Sequence, residues 1–142
     1  QGETINRFRY LETLRKLREA VRRKRPEMWA SGEWVLHHDN APCHTALLIR
    51  QFLTKNAMSV IPQPPYSPDL APADFFLFPK LKYPMKGQRF ASIDVLKQKS
   101  LEQLNSIPSE AYSDCMDQWK KRWEKCIRSQ GEYFEGDKFE NI

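Results

Sequence analysis

The chain has 142 residues, a length that fits one domain or a piece of one. Its 40% apolar content permits a substantial core, while 29% charged residues and the lack of any apolar run near the roughly 18 residues of a membrane span argue against a membrane protein. The net charge of +5 favours a polyanionic partner only mildly, since many basic proteins bind no nucleic acid.

The chain opens on Gln1 rather than Met, the mark of a processed, trimmed or fragmentary start. Residues 5–25 are predicted to form a helix. Ile5, Phe8, Leu11, Leu14, Leu17 and Val21 recur at three- and four-residue intervals as one apolar stripe. Arg22, Arg23, Lys24 and Arg25 close it, where cations suit the negative helix end, and Pro26 discourages continuation.

Residues 34–38 (WVLHH) read as a short strand ending at Asp39, with Asn40, Ala41 and Pro42 breaking it. A helix is expected over 45–55, with Leu48, Ile49, Phe52 and Leu53 apolar and Asn56 as the stop. Residues 58–61 (MSVI) form a second strand. Strand, helix and strand in that order predict two parallel neighbours.

The segment 62–74 (PQPPYSPDLAPAD) is proline-rich and ordered by local stiffness more than by ladder hydrogen bonds. From Asp74 an aromatic-rich helix (DFFLFPKLKYPMKG) is expected, kinked at Pro79 and ended near residues 84–87. Another helix starts after Ser92 as N-cap. A last one runs from about Pro108 to Ser129 with the stripe Tyr112, Cys115, Met116, Trp119, Trp123, Cys126 and Ile127, and Gly131 placed to end it. Three cysteines without a pairing pattern, two of them about three turns apart on one helix, read as free thiols of an intracellular protein.

The fold class is therefore α/β, two short parallel strands with several helices. Two strands make a poor sheet, and the apolar run 34–36 looks built for neighbours on both sides. One neighbour is expected to lie outside the chain.

Asp39 follows the first strand, and in open α/β sheets functional groups gather at strand carboxyl ends. Asp74 follows the second, near a helix start. Two carboxylates converging on one point suit Mg²⁺, which takes a few carboxylates plus waters and phosphate oxygens, and two such ions serve phosphodiester cleavage. The plainer readings stand beside this: an Asp ending a strand often caps a turn, an Asp in a first helical turn often meets only the dipole, and Asp69 is an equally good N-cap. Adjacent strand residues His37 and His38 point to opposite faces, and Cys43 with His44 lacks a second pair for zinc.

Both acids lie in long, specific motifs. HHDNAPCHTA (37–46) and YSPDLAPADFFLFPKLK (66–82) closely resemble the mariner family of transposases. The opening stretch through Trp29 and the closing segment RWEKCIRSQGEYFEGD (122–137) also resemble that family, so the likeness covers essentially the whole chain. The 34 residues between Asp39 and Asp74 match the spacing of that family's second and third catalytic acids.

The resemblance implies an incomplete RNase H-like (integrase/transposase) fold. Asp39 and Asp74 would be the catalytic and metal-binding acids, with Mg²⁺ as cofactor and Mn²⁺ as its substitute. The first acid and the helix-turn-helix regions that read transposon ends would lie upstream of Gln1. The residues here would be the C-terminal portion of the catalytic domain, with no separate DNA-reading domain. The parent protein would act on transposon-end and target DNA in the nucleus as a homodimer, with no membrane partner.

The densest basic segments are Arg22, Arg23, Lys24 and Arg25, and Lys120, Lys121, Arg122 and Lys125; phosphate contact is the candidate role, above all for the first four and for Lys120 and Lys121, with a solvated helix face as the alternative. His44 is a further candidate, with a ring satisfied at a helix start as its alternative. Trp119 and Trp123, four residues apart, read as packing rather than base stacking, and Phe75, Phe76 and Phe78 mainly as core. The alternative function is a non-catalytic remnant acting as a DNA-binding or interaction module, separated from the enzyme by whether an upstream strand supplies the first aspartate. Nothing in the chain resembles a phosphatase with an aspartate nucleophile.

Overall fold

A computed structural model describes residues 4–129, so Gly131 and the end of the 122–137 motif lie outside the described residues. The chain divides into two compact units, residues 1–65 and 66–142.

In the first unit, α1 (Arg7–Lys24) begins where Asn6 accepts the Arg9 N–H at 2.9 Å. The helix stops because Arg25 precedes a proline, which pushes it out of the helical region to φ −132°, ψ 62°. Pro26 thus ends α1, as the sequence suggested, and it also opens a second helix, which the sequence did not suggest. It is the first residue of that helix, α2 (Pro26–Ser31), a position where its missing N–H is no loss. Gly32, at φ 68°, ends α2 in the left-handed conformation and donates its N–H to the Met28 carbonyl.

Strand β1 (Val35–His37) leads to α3 (Pro42–Thr45), α4 (Leu47–Lys55) and β2 (Ser59–Ile61). The helix expected over 45–55 is α4, and the short α3 before it occupies residues expected only to break the strand. Ala46, at φ −57°, ψ 147°, breaks them apart, and no proline or glycine marks the break. β1 and β2 pair in parallel with Val35 opposite Ser59, Leu36 opposite Val60 and His37 opposite Ile61. Among the described residues, β1 is paired on one side only.

Leu11 and Leu14 of α1, Leu36 of β1, and Ile49 and Leu53 of α4 form the core of this unit, with Tyr10, Leu48, Phe52 and Met58 packed against it. The α1 stripe is buried only in its middle: Ile5, Phe8 and Leu17 are exposed.

In the second unit, a 3-10 turn (Pro68–Leu70) precedes a π-helical turn (Ala73–Leu77) and then α5 (Phe78–Met85), α6 (Ile93–Ser106) and α7 (Ser109–Arg128). Pro79 is where the expected kink resolves into a change of helix type. It has no N–H to offer the Phe75 carbonyl four residues back, and the Phe78 N–H instead reaches five residues back to Ala73. Ser92 caps α6 by accepting the Val95 N–H at 3.2 Å. Phe75 and Phe76 are half-buried, while Phe78 is exposed rather than core. On α7, Cys115 is buried and Trp119 and Trp123 are half-buried, but Tyr112, Met116 and Ile127 of the expected stripe are exposed. The cysteines are free thiols. No described helix is long and apolar enough to cross a membrane.

Candidate metal centre and nucleic-acid surfaces

Asp39 stands two residues beyond the carboxyl end of β1, and its side chain is 66% exposed. Its Oδ1 accepts the Ala41 N–H at 3.0 Å, the turn in which an Asp folds back on its own backbone. The same oxygen lies 2.6 Å from Nδ1 of His44. That approach has the distance of an ion pair, but the ring nitrogen makes no aligned hydrogen bond. It is therefore a charge contact that operates when His44 is protonated. Both contacts engage Oδ1, and no hydrogen bond or ion pair engages Oδ2 among the described residues.

A small aromatic stack backs this carboxylate. Tyr10 of α1 packs on His44 with ring centroids 4.0 Å apart, and His38 stacks on His44 at 5.2 Å with planes 8° apart. The Tyr10 hydroxyl is 2.7 Å from Nδ1 of His38. The O–H donates if the ring is neutral with its proton on Nε2. Burial, then repulsion from His44, lowers the His38 pKa, which favours that neutral ring, while Asp39 opposes the shift. Burial is also the main reason the Tyr10 hydroxyl is pushed up to about 12, with the negative potentials of Cys43 and Asp39 adding to it.

On the other side of the strand end, Nε2 of His37 pairs with Oε1 of Gln63 at 2.8 Å. Asn40 donates its amide to the Gln63 carbonyl at 2.6 Å. Buried Gln63, two residues past β2, thus ties the residues flanking Asp39 to the neighbouring strand. Sequence reasoning missed Tyr10 and Gln63. A polar residue inside PQPP was the one available hint for Gln63, and nothing marked Tyr10.

Asp74 belongs to the second unit, in the first turn of the π segment. It is exposed, its N–H donates to the Ala71 carbonyl at 2.9 Å, and no protein group engages its carboxylate among the described residues. Asp69 is the structural acid. It is buried in the 3-10 turn, with Oδ1 lacking a hydrogen-bond partner.

Two exposed carboxylates with open oxygens are the donor type that Mg²⁺ or Mn²⁺ takes. No cluster of three or more His, Cys, Asp or Glu able to hold a metal occurs among the described residues. Any ion here must complete its shell with water, phosphate or further groups.

The basic candidates fall in both units. Arg22 is bound to Glu19 through two guanidinium nitrogens, whereas Arg23, Lys24, Lys120 and Lys121 are exposed, as is Arg25, the C-cap of α1. His44 faces Asp39, Tyr10 and His38 and has a side chain only 19% exposed. A largely apolar groove of about 950 Å³, lined by Tyr83 and Met85 of α5, Gln103 of α6 and Ile107 just beyond it among others, contains neither acid.

No protein-family model matches the sequence. The chain is 40% identical over 136 residues to the Mariner Mos1 transposase of Drosophila mauritiana, covering 95% of this chain and 39% of that protein. It is 31% identical over 134 residues to the histone-lysine N-methyltransferase SETMAR of Homo sapiens, covering 94% of this chain and 20% of that protein. The Mos1 transposase catalytic domain solved with raltegravir and Mn superposes with a TM-score of 0.88 at 40% identity, covering 94% of this chain and 67% of that domain. A pre-cleavage Mos1 transpososome gives 0.88 at 39% identity, covering 94% of this chain and 39% of that one. The chain therefore spans well under half of the curated relatives it matches and two thirds of the solved catalytic domain. With identity near 40% across that domain and an RNase H-like architecture in common, the chain belongs to the mariner transposase family.

Proposed function

We propose that the chain supplies the second and third acids, Asp39 and Asp74, of a divalent-metal-dependent DNA transposase that cleaves and joins strands in cut-and-paste transposition. The observation that carries this reading is Asp39 itself. It stands just past the carboxyl end of a parallel strand, its Oδ1 held by the Ala41 N–H and its Oδ2 open. A merely structural turn-capping Asp has no need of the tyrosine–histidine stack packed behind it.

In this reading Asp39 and Asp74 each donate a carboxylate oxygen to the metal. Mg²⁺, or Mn²⁺ in its place, would supply a water of lowered pKa and positive charge for phosphodiester cleavage. The protein's own part is to hold the two oxygens still. Ala41 and His44 do so at Asp39. The remaining ligands would come from solvent, DNA phosphate and a first acid on a further strand, as the family pattern implies. Exposed Val35 on β1 and Phe8 on α1 are apolar surface of the kind such a strand would cover.

Arg23, Lys24, Arg25, Lys120 and Lys121 contact the DNA backbone and carry no sequence information. His44 serves Asp39 first. The protein acts on chromosomal and transposon DNA, in the nucleus. The test is Mn²⁺ binding to the chain, followed by paramagnetic broadening of amide resonances. Broadening centred on both Asp39 and Asp74, each lost on its own Asp→Asn substitution, is expected. Broadening spread over the acidic surface instead would sink the shared site.

The likeness to SETMAR favours one second reading. There, a similar segment makes up 20% of a protein named for a different activity. The alternative is a retained DNA-binding module without cleavage. Unchanged DNA binding and absent Mg²⁺-dependent nicking in the complete natural protein would decide for it.

A further inference from the structure

The loop that delivers Asp74 has few backbone partners of its own. Pro68 and Pro72 have no N–H, and residues 66–72 join no strand ladder. Within the 3-10 turn, the Leu70 N–H donates to Ser67 at 3.0 Å and the Ala71 N–H to Pro68 at 3.2 Å. Asp69 and Leu70 are buried, so their carbonyls need donors inside the protein.

Helix α7 provides them from some fifty residues away. The Trp119 indole N–H donates to the Leu70 carbonyl at 2.7 Å. Arg122, one turn on, donates from Nη1 to the Asp69 carbonyl at 3.2 Å. The same guanidinium lies 4.2 Å from the centre of the Phe75 ring, the residue directly after Asp74. Arg122 thus grips the chain on both sides of the acid, through an edge and a face of one planar group.

We propose that Trp119 and Arg122 are positioning residues for Asp74, fixing the direction in which it leaves the 3-10 turn. The inference rests on the metal role of Asp74 proposed above. The Asp74 carboxylate has no protein partner among the described residues, so only its backbone sets where it points. Holding two carbonyls before it and one ring after it removes the rotations that would swing that backbone. Lysine keeps the charge of Arg122 but cannot stack on Phe75 and donate edgewise together.

The test is hydrogen exchange on the 142-residue chain, read at the Asp74 and Phe75 amides, which both donate to the Ala71 carbonyl. Arg122→Lys and the milder Trp119→Phe, which keeps an aromatic ring while removing the N–H donor and some packing volume, should each speed exchange there by about tenfold. The α6 amides should be unchanged, and Mn²⁺ broadening at Asp74 should need a higher Mn²⁺ concentration. Uniform acceleration across the second unit means plain structural packing and overturns the proposal. Unchanged exchange at the two amides does so as well, as does local acceleration with unaltered Mn²⁺ broadening. Asp74→Asn separates the two ideas: it should abolish the broadening and leave exchange as in the parent. If that variant keeps the broadening, the metal reading fails, and the exchange result still decides whether the clamp holds the loop.

Discussion

The Tyr10 hydroxyl lies 2.7 Å from Nδ1 of His38, joining the first turn of α1 to the residue beside Asp39. This bond has a pH signature. Tyr10 ionises at about 12 in the folded chain against 10.0 ordinarily, chiefly through burial. Between those values the unfolded chain has lost the proton and the folded chain still holds it. The contribution of Tyr10 is therefore complete below pH 10 and lost as pH rises toward 12. Tyr10→Phe should cost roughly 1 kcal/mol at neutral pH, the usual net worth of such a bond. It should also flatten the alkaline fall in stability. Urea midpoints for parent and variant on either side of pH 10 check both parts. Parallel alkaline slopes would show that the Tyr10 proton is not held by the fold.

Ile49 is fully buried between α1 and β1, whereas Leu17 on the same α1 stripe is 38% exposed. Ile49→Ala should destabilise the first unit by about 2–5 kcal/mol, through reduced burial and the cavity left behind. Leu17→Ala should cost under about 1 kcal/mol, the range of surface changes. Denaturant titration of each variant measures the contrast. Equal losses would mean that the stripe packs along its full length.

What could be read in the sequence was local. The β1–α–β2 order was legible because an apolar run, a helical stripe and Asn56 follow one another within a short span. The break at Ala46 was not, since alanine is the best helix former and only tertiary packing sets it apart. Pro26 marked the end of α1 but not the start of α2, because a proline serves equally as a stop and as the first residue of the next helix. Asp39, Asp74 and His44 stood out through their motifs. Arg122 stood in the 122–137 motif, but neither its contact nor that of Tyr10 was legible: their partners lie 53 and 28 residues away, and no periodicity reports such a pairing. The indole N–H of Trp119 was hidden in the same way behind a packing role that the residue also has.

The basic segment at the end of α1 should act on DNA through phosphates alone. Arg22 is held by Glu19, so the exposed neighbours Arg23, Lys24 and Arg25 are the ones to vary. Replacing all three by alanine should lower the slope of log affinity against log salt by roughly 2 to 3, near 0.9 for each phosphate no longer neutralised. Matched and scrambled duplexes should weaken alike. A variant that weakens binding to transposon-end DNA alone would place base readout in this segment.

A polypeptide of these 142 residues should not cut DNA. On the reading proposed above it carries two of three metal-holding acids, which would leave charge and position around a metal under-determined. The protein's task in such chemistry is to fix coordination geometry, and a missing ligand costs both affinity and the alignment of the attacking water. β1 adds to this. It pairs with β2 on one side only among the described residues, and an unpaired strand edge leaves Asp39 on a looser support. Supplying a strand that ends in the first aspartate, in cis or as a separate polypeptide, should restore Mg²⁺-dependent nicking of supercoiled plasmid. In that restored protein, Asp39→Ala or Asp74→Ala should abolish nicking and leave nonspecific DNA binding nearly unchanged. Tyr10→Phe should slow nicking without abolishing it, because His44 and the Ala41 N–H still hold the Asp39 carboxylate. Robust nicking by the 142 residues alone with Mg²⁺ or Mn²⁺, absent in Asp39→Ala, would mean that two acids suffice and that the third is dispensable for the first cut.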